Sequence, residues 1–222
     1  MIKFYSVYAK PPISNPITLQ DSYNEFINDL FQGYSSELEN EYGFKSALGW
    51  LLDSNISLSF ESKYLNATTS LETLMDRYHT RKNTEFLLKK NFFEKKFSPC
   101  IKDNSEKLLL ENGYDKTTIE SVNKKIPELR RRSAIDKAER LVNELKIDIN
   151  DTEIEINDIF KVRNKITHTG NIKPTNELNP EKIYDGLMTI LTRLLLSILN
   201  YKGYYHDPWI GEYIEVDKSI KS

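Results

Sequence analysis

One cysteine, Cys100, and three histidines are all that the 222 residues offer of the strong metal-binding side chains. A lone thiol excludes an intramolecular disulfide framework and any cysteine-based zinc site, and so few histidines leave little material for a metal centre. No metal and no cofactor are expected, and a reduced cytoplasm fits best. Glycine and proline, eight of each, are too sparse for a low-complexity chain. Long apolar runs are missing too. The most apolar stretch, Leu187 to Leu199, is broken by Thr192 and Arg193 and is too short to span a bilayer, so it belongs in a core or an interface and no membrane partner is expected. Met1 to Tyr5 has neither the apolar core nor the small-residue cleavage site of a signal peptide, so secretion is not expected. Net charge is small at −2, but it is unevenly spread: residues 81 to 140 hold 16 Lys and Arg against 10 Asp and Glu, and the remainder holds 15 against 23.

What is present is ordinary for a folded soluble protein, with 39% hydrophobic and 29% charged residues. The length suits one sizeable domain with one core. Met1 to Ala9 alternates briefly, and Pro11, Pro12 and Pro16 then prevent regular structure, which makes residues 1–18 an extended arm. Apolar residues at helical spacing predict helices over 19–32 (Phe26, Ile27, Leu30, Phe31), 35–53 (Tyr42, Leu48, Trp50, Leu51) and 57–80 (Phe60, Tyr64, Ala67, Leu71, Leu74, Tyr78). Further helices are expected over 83–97, 103–112, 115–125 and 127–146, with Pro99, Gly113 and Pro127 at their joints or starts. Asn179-Pro180-Glu181 reads as N-cap, first-turn proline and first-turn acid, opening a helix that runs to about Lys202. Its apolar face, Ile183, Leu187, Ile190, Leu191, Leu194, Leu195 and Ile198, is broad enough to pack inward and still serve a second subunit. Residues 204–222 read as an arm docked by Trp209 and Tyr213. The expected fold is therefore all-α: a helical domain over 19–203 between two short extended arms.

The most informative stretch is Arg163-Asn164-Lys165-Ile166-Thr167-His168. Apolar residues at 156, 159, 160, 162 and 166 make Ile156 to His168 an amphipathic helix, and Gly170 with Pro174 supplies its stop. Asn164 and His168, four apart, share one side of it. Arg163 falls inside the apolar arc, where an arginine must be paired or must face a partner, because it cannot shed its proton. His168 lies in the last turn, where the helix dipole favours a cation. Two plainer roles fit the same residues: Arg163 paired with a core glutamate, and His168 capping its helix. Glu72 and Asp76 share a face of the 57–80 helix, and that face is a candidate partner for Arg163, though a solvent-facing pair of acids at this spacing is at least as common.

The string Val162 to His168, lying between a long helical region and a second apolar helix, resembles the HEPN superfamily, whose pattern is Arg, a polar residue often Asn, three variable residues, then His. Ser70-Leu71-Glu72-Thr73-Leu74-Met75-Asp76-Arg77-Tyr78-His79 looks like the glutamate-bearing helix of the Apea-like HEPN branch, found in anti-phage and abortive-infection proteins. The resemblance covers about residues 20 to 203. It implies a HEPN-like helical bundle in which two motif helices meet across a homodimer, so that both Arg-His pairs line one cleft.

RNA carries its own nucleophile, the 2′-hydroxyl, so its cleavage needs proton transfer, stabilisation of the crowded phosphorane and release of the 5′ oxygen. His168 suits the first, Arg163 can clamp the non-bridging oxygens, and Asn164 can orient either. One histidine is fewer than a concerted acid and base would use, and the implied dimer supplies the second. Glu72, Asp76 and Thr167 are candidate supporting residues. Lys165, Arg130, Arg131 and Arg132 are candidate RNA contacts, against the commoner reading of a basic run as a solvated face. The expected function is a metal-independent endoribonuclease used in phage defence or as a toxin, with RNA as substrate and an antitoxin or sensor protein as a further partner. With about 18 residues ahead of the first helix, the β-rich sensor that often precedes Apea-like HEPN domains is expected to be absent or to lie on another protein. Two other functions fit: a non-catalytic HEPN-like module that binds RNA or protein, and a helical DNA regulator, for which no recognition-helix signature is present.

Overall fold

A computed structural model of the chain describes residues 34–172, 179–201, 204–207 and 209–215. The N-terminal arm, the helix expected at 19–32, part of the loop after the motif and the end of the C-terminal arm lie outside the described residues. The fold is all-α.

Helix α1 (Ser36–Tyr42) starts where the Ser35 hydroxyl accepts the Leu38 amide at 3.3 Å, and α2 (Phe44–Ile56) follows after one residue. The spacing predicts a single helix over 35–53; Gly43, at φ 62°, closes α1 and opens α2 instead. A side chain there would meet both a left-handed backbone and the Arg77 Cγ, 2.8 Å from the place of a Cβ. Helix α3 (Phe60–Lys82) begins behind Ser59, whose hydroxyl accepts the Ser62 amide, and buries Tyr64, Ala67, Leu71, Leu74 and Tyr78 as its spacing predicts. Trp50, expected in the core, is 41% exposed on α2, while Tyr42 and Leu51 are buried.

The helix expected at 83–97 is half absent. Asn83 takes a left-handed φ of 55° and ends α3, and residues 84–88 then form a bent, non-helical segment, joined antiparallel to Arg131 through Phe86. Helix begins again at α4 (Lys90–Phe92) and passes through a π turn (Phe93–Phe97) into α5 (Ser98–Glu111). Pro99 has no amide for the carbonyl four residues back, and the wide turn just before it is where the helix absorbs that loss. Helix α6 (Lys116–Lys125) is capped by Asp115, whose carboxylate accepts the Thr118 amide at 2.7 Å. In place of one helix over 127–146 there is a 3-10 turn (Ile126–Arg130), an extended link, and α7 (Ala134–Glu144). A second 3-10 turn (Asn150–Thr152) leads to α8 (Ile156–Thr169), closed by Gly170 at φ 74°. Helix α9 (Pro180–Ile198) is capped by the Asn179 side chain on the Lys182 amide and ends four residues short of the expected Lys202, where Asn200 turns left-handed. Strands β1 (Tyr204–His206) and β2 (Tyr213–Glu215) pair antiparallel, giving the C-terminal arm a small hairpin.

The chain divides into two compact units, one formed by the residues up to Tyr78 and from Ala134 on, the other by His79–Ser133. In the first, α8 packs between α7 and α9. Its core is built from Leu71 and Leu74 of α3, Leu141 of α7, Ile159 and Val162 of α8, and Leu187, Ile190, Leu191 and Leu194 of α9, all fully buried. Burying each such side chain stabilises by roughly 1.5–3 kcal/mol. Helix α9 is buried nearly all round. All seven of the apolar residues that might have served a second subunit are covered within the protomer, so that surface is not left for a partner. Gly186 lets the Ile154 segment lie against α9: a Cβ there would sit 2.2 Å from the Ile154 Cδ1.

The second unit is held by backbone exchange between residues 85–87 and 130–132: the Leu87 amide donates to the Arg130 carbonyl at 2.8 Å and the Arg132 amide to that of Glu85 at 3.0 Å. Phe93, Ile119 and Ile126 are its buried apolar residues. Among the described residues, no helix is long and apolar enough to cross a membrane.

Candidate functional site

The candidate motif occupies the last two turns of α8, as its spacing predicts. Ile156, Ile159, Phe160, Val162 and Ile166 anchor one side of the helix in the first unit, and the Tyr64 hydroxyl donates to the Ile159 carbonyl at 3.0 Å, tying α8 to α3. The opposite side carries Asn164, Lys165, Thr167 and His168, all exposed. Arg163 stands at the boundary, its side chain 36% exposed.

Its guanidinium has two neighbours. Arg163 Nη2 lies 3.2 Å from the Glu72 Oε1 on α3, and Nη1 donates to the Asn164 Oδ1 at 3.1 Å. A long cation is thereby held from two directions at the edge of the core. Burial pushes the Glu72 carboxyl above its ordinary value, Arg163 pulls it back, and Asp76 one turn away adds to the rise. The net rise means that desolvation outweighs the attraction, so this pair orients Arg163 more than it stabilises the fold. Thr167 donates to the Arg163 carbonyl at 2.9 Å, a bond local to the helix. His168 sits on the exposed side one turn after Asn164, just before the Gly170 stop.

No match to this chain was found among protein-family models, curated proteins or solved structures.

The other candidates are placed differently. Asp76 binds Lys137 of α7 at 2.7 Å rather than Arg163. Arg130, Arg131 and Arg132 belong to the second unit. Arg130 lies 3.8 Å over the Phe86 ring and donates its Nε–H to the Leu88 carbonyl, and Arg132 donates its Nε–H to that of Thr84 at 2.8 Å. These two arginines hold the non-helical 84–88 segment in place; Arg131 is exposed. Among the described residues, no group of three His, Cys, Asp or Glu side chains is arranged to hold a metal ion.

The most elaborate polar arrangement lies elsewhere, and the sequence pattern does not show it. Arg193, 1% exposed in the middle of α9, donates to Asp151 at 2.7 and 2.8 Å, to Asp207 at 2.7 Å, to the Tyr205 hydroxyl at 2.8 Å, and to the Asp148 carbonyl. Asp207, fully buried, also accepts the Tyr205 hydroxyl and the amides of Trp209 and Ile210. Burial would raise the Asp207 carboxyl, but the Tyr205 hydroxyl and Arg193 outweigh it and hold it below its ordinary value. This cluster fastens the 3-10 turn and the C-terminal hairpin to α9. Its only sequence signal is an arginine interrupting an apolar run.

Proposed function

We propose that the chain is a metal-independent endoribonuclease of the HEPN type, with Arg163, Asn164 and His168 as its working residues. The observation that carries this is the pairing of Glu72 with Arg163 at the end of α8, which fixes a guanidinium at the edge of the core beside a face that exposes Asn164 and His168. A phosphodiester resting on that face would meet a cation, a hydrogen-bonding amide and an imidazole within two helical turns.

In this mechanism His168 takes the 2′-hydroxyl proton, the 2′ oxygen attacks phosphorus, and the P–O5′ bond breaks. The products are a 2′,3′-cyclic phosphate and a 5′-hydroxyl. Arg163 clamps the non-bridging oxygens as charge builds on them, and Asn164 orients the guanidinium. The leaving 5′ oxygen takes its proton from the His168 of a second copy, with the exposed sides of two α8 helices facing each other. Use in phage defence or as a toxin, under an antitoxin or sensor protein in the cytoplasm, follows from the same HEPN reading.

RNA digestion in the presence of a chelator tests the proposal, with circular dichroism to check folding. Removing a general acid-base group typically costs 10²–10⁴-fold in rate, so His168→Ala and Arg163→Ala are each expected to lose at least a hundredfold. A folded wild type that cuts no RNA, or a folded variant that cuts as well as wild type, would falsify it. One observation favours a second function. Arg163 is already engaged by Glu72 and Asn164, as an arginine with a purely structural role would be, and a non-catalytic RNA- or protein-binding module of a defence or toxin-antitoxin complex would need no more. Such a module would show RNA binding without cleavage in the same assay.

A further inference from the structure

The charge imbalance seen in the sequence coincides with a structural boundary. The His79–Ser133 unit holds 14 Lys and Arg against 8 Asp and Glu, a net charge of +6, while the rest of the chain holds 17 against 25, a net charge of −8. A chain that is nearly neutral overall thus keeps its positive charge in one compact insertion. Such segregation creates a local field that attracts polyanions and that the whole-chain charge conceals.

Within this unit the start of the α4–α5 helix concentrates the signal. Lys89, Lys90, Lys95 and Lys96 are all exposed, and the one carboxylate within residues 89–96, Glu94, lies 4.0 Å from Lys90, too loosely to neutralise the group. Among them stands Phe92, 47% exposed. It is not left to wave in solvent: its ring lies 6.3 Å from that of Phe97, which in turn lies 5.8 Å from the buried Phe93. Phe92 and Phe97 are five residues apart, a spacing that an ordinary α-helix turns away from one face and that the π turn brings into register. An exposed aromatic ring, braced from below and flanked along the chain by four exposed lysines, has the chemistry of a base-stacking platform with phosphate contacts near it.

We propose that this lysine-flanked Phe92 surface of the 79–133 unit binds single-stranded RNA, with Phe92 stacking on a base and the lysines contacting phosphates. The choice of RNA among single-stranded polyanions rests on the ribonuclease reading; the stacking and the charge do not. The test measures binding apart from cleavage. Fluorescence anisotropy would follow a labelled oligouridylate of about 20 nucleotides, a span that covers the 4–16-nucleotide sites typical of single-strand binding folds, titrated with full-length His168→Ala protein across a series of salt concentrations. In that background, Lys89→Gln/Lys90→Gln/Lys95→Gln/Lys96→Gln is expected to weaken binding at least tenfold near 0.1 M salt. It should also flatten the log–log salt slope by about 0.7 for each phosphate that is no longer neutralised. Phe92→Ala should weaken binding roughly tenfold and leave the slope unchanged, because stacking releases no counterions. The exposed pair Lys45→Gln/Lys146→Gln, in the other unit, should bind as the parent does. The proposal is overturned if the quadruple variant binds like its parent, if the Lys45/Lys146 control weakens binding as much, or if duplex DNA or phosphatidylserine vesicles bind more tightly than the oligouridylate at the same surface. A wild type that cuts nothing while the quadruple variant loses binding would end the catalytic reading and leave this one standing.

Discussion

Replacing Asp207 with alanine should be among the most damaging single changes that can be made without touching the apolar core. The carboxylate is fully buried and takes two donors from Arg193, the hydroxyl of Tyr205 at 2.7 Å, and the amides of Trp209 and Ile210 at 2.9 and 3.2 Å. Without it, the buried guanidinium keeps only Asp151, whose side chain is 41% exposed, as a charged partner, the Ile210 amide loses its acceptor, and the Trp209 amide keeps only the Thr189 hydroxyl at 3.1 Å. Breaking a buried pair from one side costs about 3–5 kcal/mol. Asp151 survives on two guanidinium nitrogens, so the lower end, about 3 kcal/mol, is expected. In a chain of this size that corresponds to a fall in Tm of roughly 6–12 °C. Urea denaturation followed by far-ultraviolet circular dichroism measures it. Adding Arg193→Met to Asp207→Ala removes the stranded charge and should recover at least about 1 kcal/mol. The pH dependence has a definite sign. Because the folded protein holds Asp207 below its unfolded value of 3.8, its contribution is full above that value and is lost as pH falls through the folded one. The gap between wild type and Asp207→Ala should therefore be constant from about pH 6 to 8 and close below about pH 4. A loss under about 1 kcal/mol at neutral pH, or no rescue by Arg193→Met, would refute the reasoning.

Two further outcomes follow from the helix junctions and the candidate site. Gly43→Ala forces a Cβ into a left-handed position, 2.8 Å from the Arg77 Cγ, and should destabilise by roughly 1–3 kcal/mol in the same urea assay; an unchanged midpoint would mean that α1 and α2 tolerate a different junction. Glu72→Gln should leave stability at neutral pH within about 1 kcal/mol of wild type, because a carboxyl raised by burial contributes most below 4.5 and loses that contribution as pH rises through its folded value. The same variant loosens Arg163, so cleavage should fall by about tenfold or more, and a fully active Glu72→Gln protein would remove Glu72 from the site.

The parts of this structure that can be read from the sequence are those governed by local periodicity. The motif helix shows its apolar stripe at 156, 159, 160, 162 and 166 and its stop at Gly170, and α3 shows the stripe that buries Tyr64 through Tyr78. Asn179 and Pro180 announce α9 in the same way. The errors come where one residue overrides a pattern. Gly43 and Asn83 sit inside helical spacing, and only their left-handed backbones divide one expected helix and shorten another. The Arg193 cluster is illegible for a different reason. Its partners lie 42 residues before it and 14 after it, in an irregular turn and a hairpin, and neither carries a periodic signal. Trp50 faces outward because α2 buries only the side that carries Ala47, Leu51 and Ser54, and the spacing of large residues does not reveal which side that is.

The basic unit is an insertion in the strict topological sense, and the ion pair between Asp76 and Lys137 shows how the first unit accommodates it. The chain leaves that unit after Tyr78 and returns at Ala134, yet residues 76 and 137 on either side of the gap meet at 2.7 Å. The two ends of the insertion are thus fixed near each other by the first unit's own packing of α3 and α7. The ribonuclease candidates Glu72, Arg163, Asn164 and His168 and the Arg193 cluster all lie in residues outside the insertion. Charge follows the same division, +6 inside and −8 outside. If the chain acts on RNA as proposed, an acidic body carrying the candidate chemistry would repel it. On that proposal, the positively charged insertion supplies an attraction that the acidic residues outside it do not.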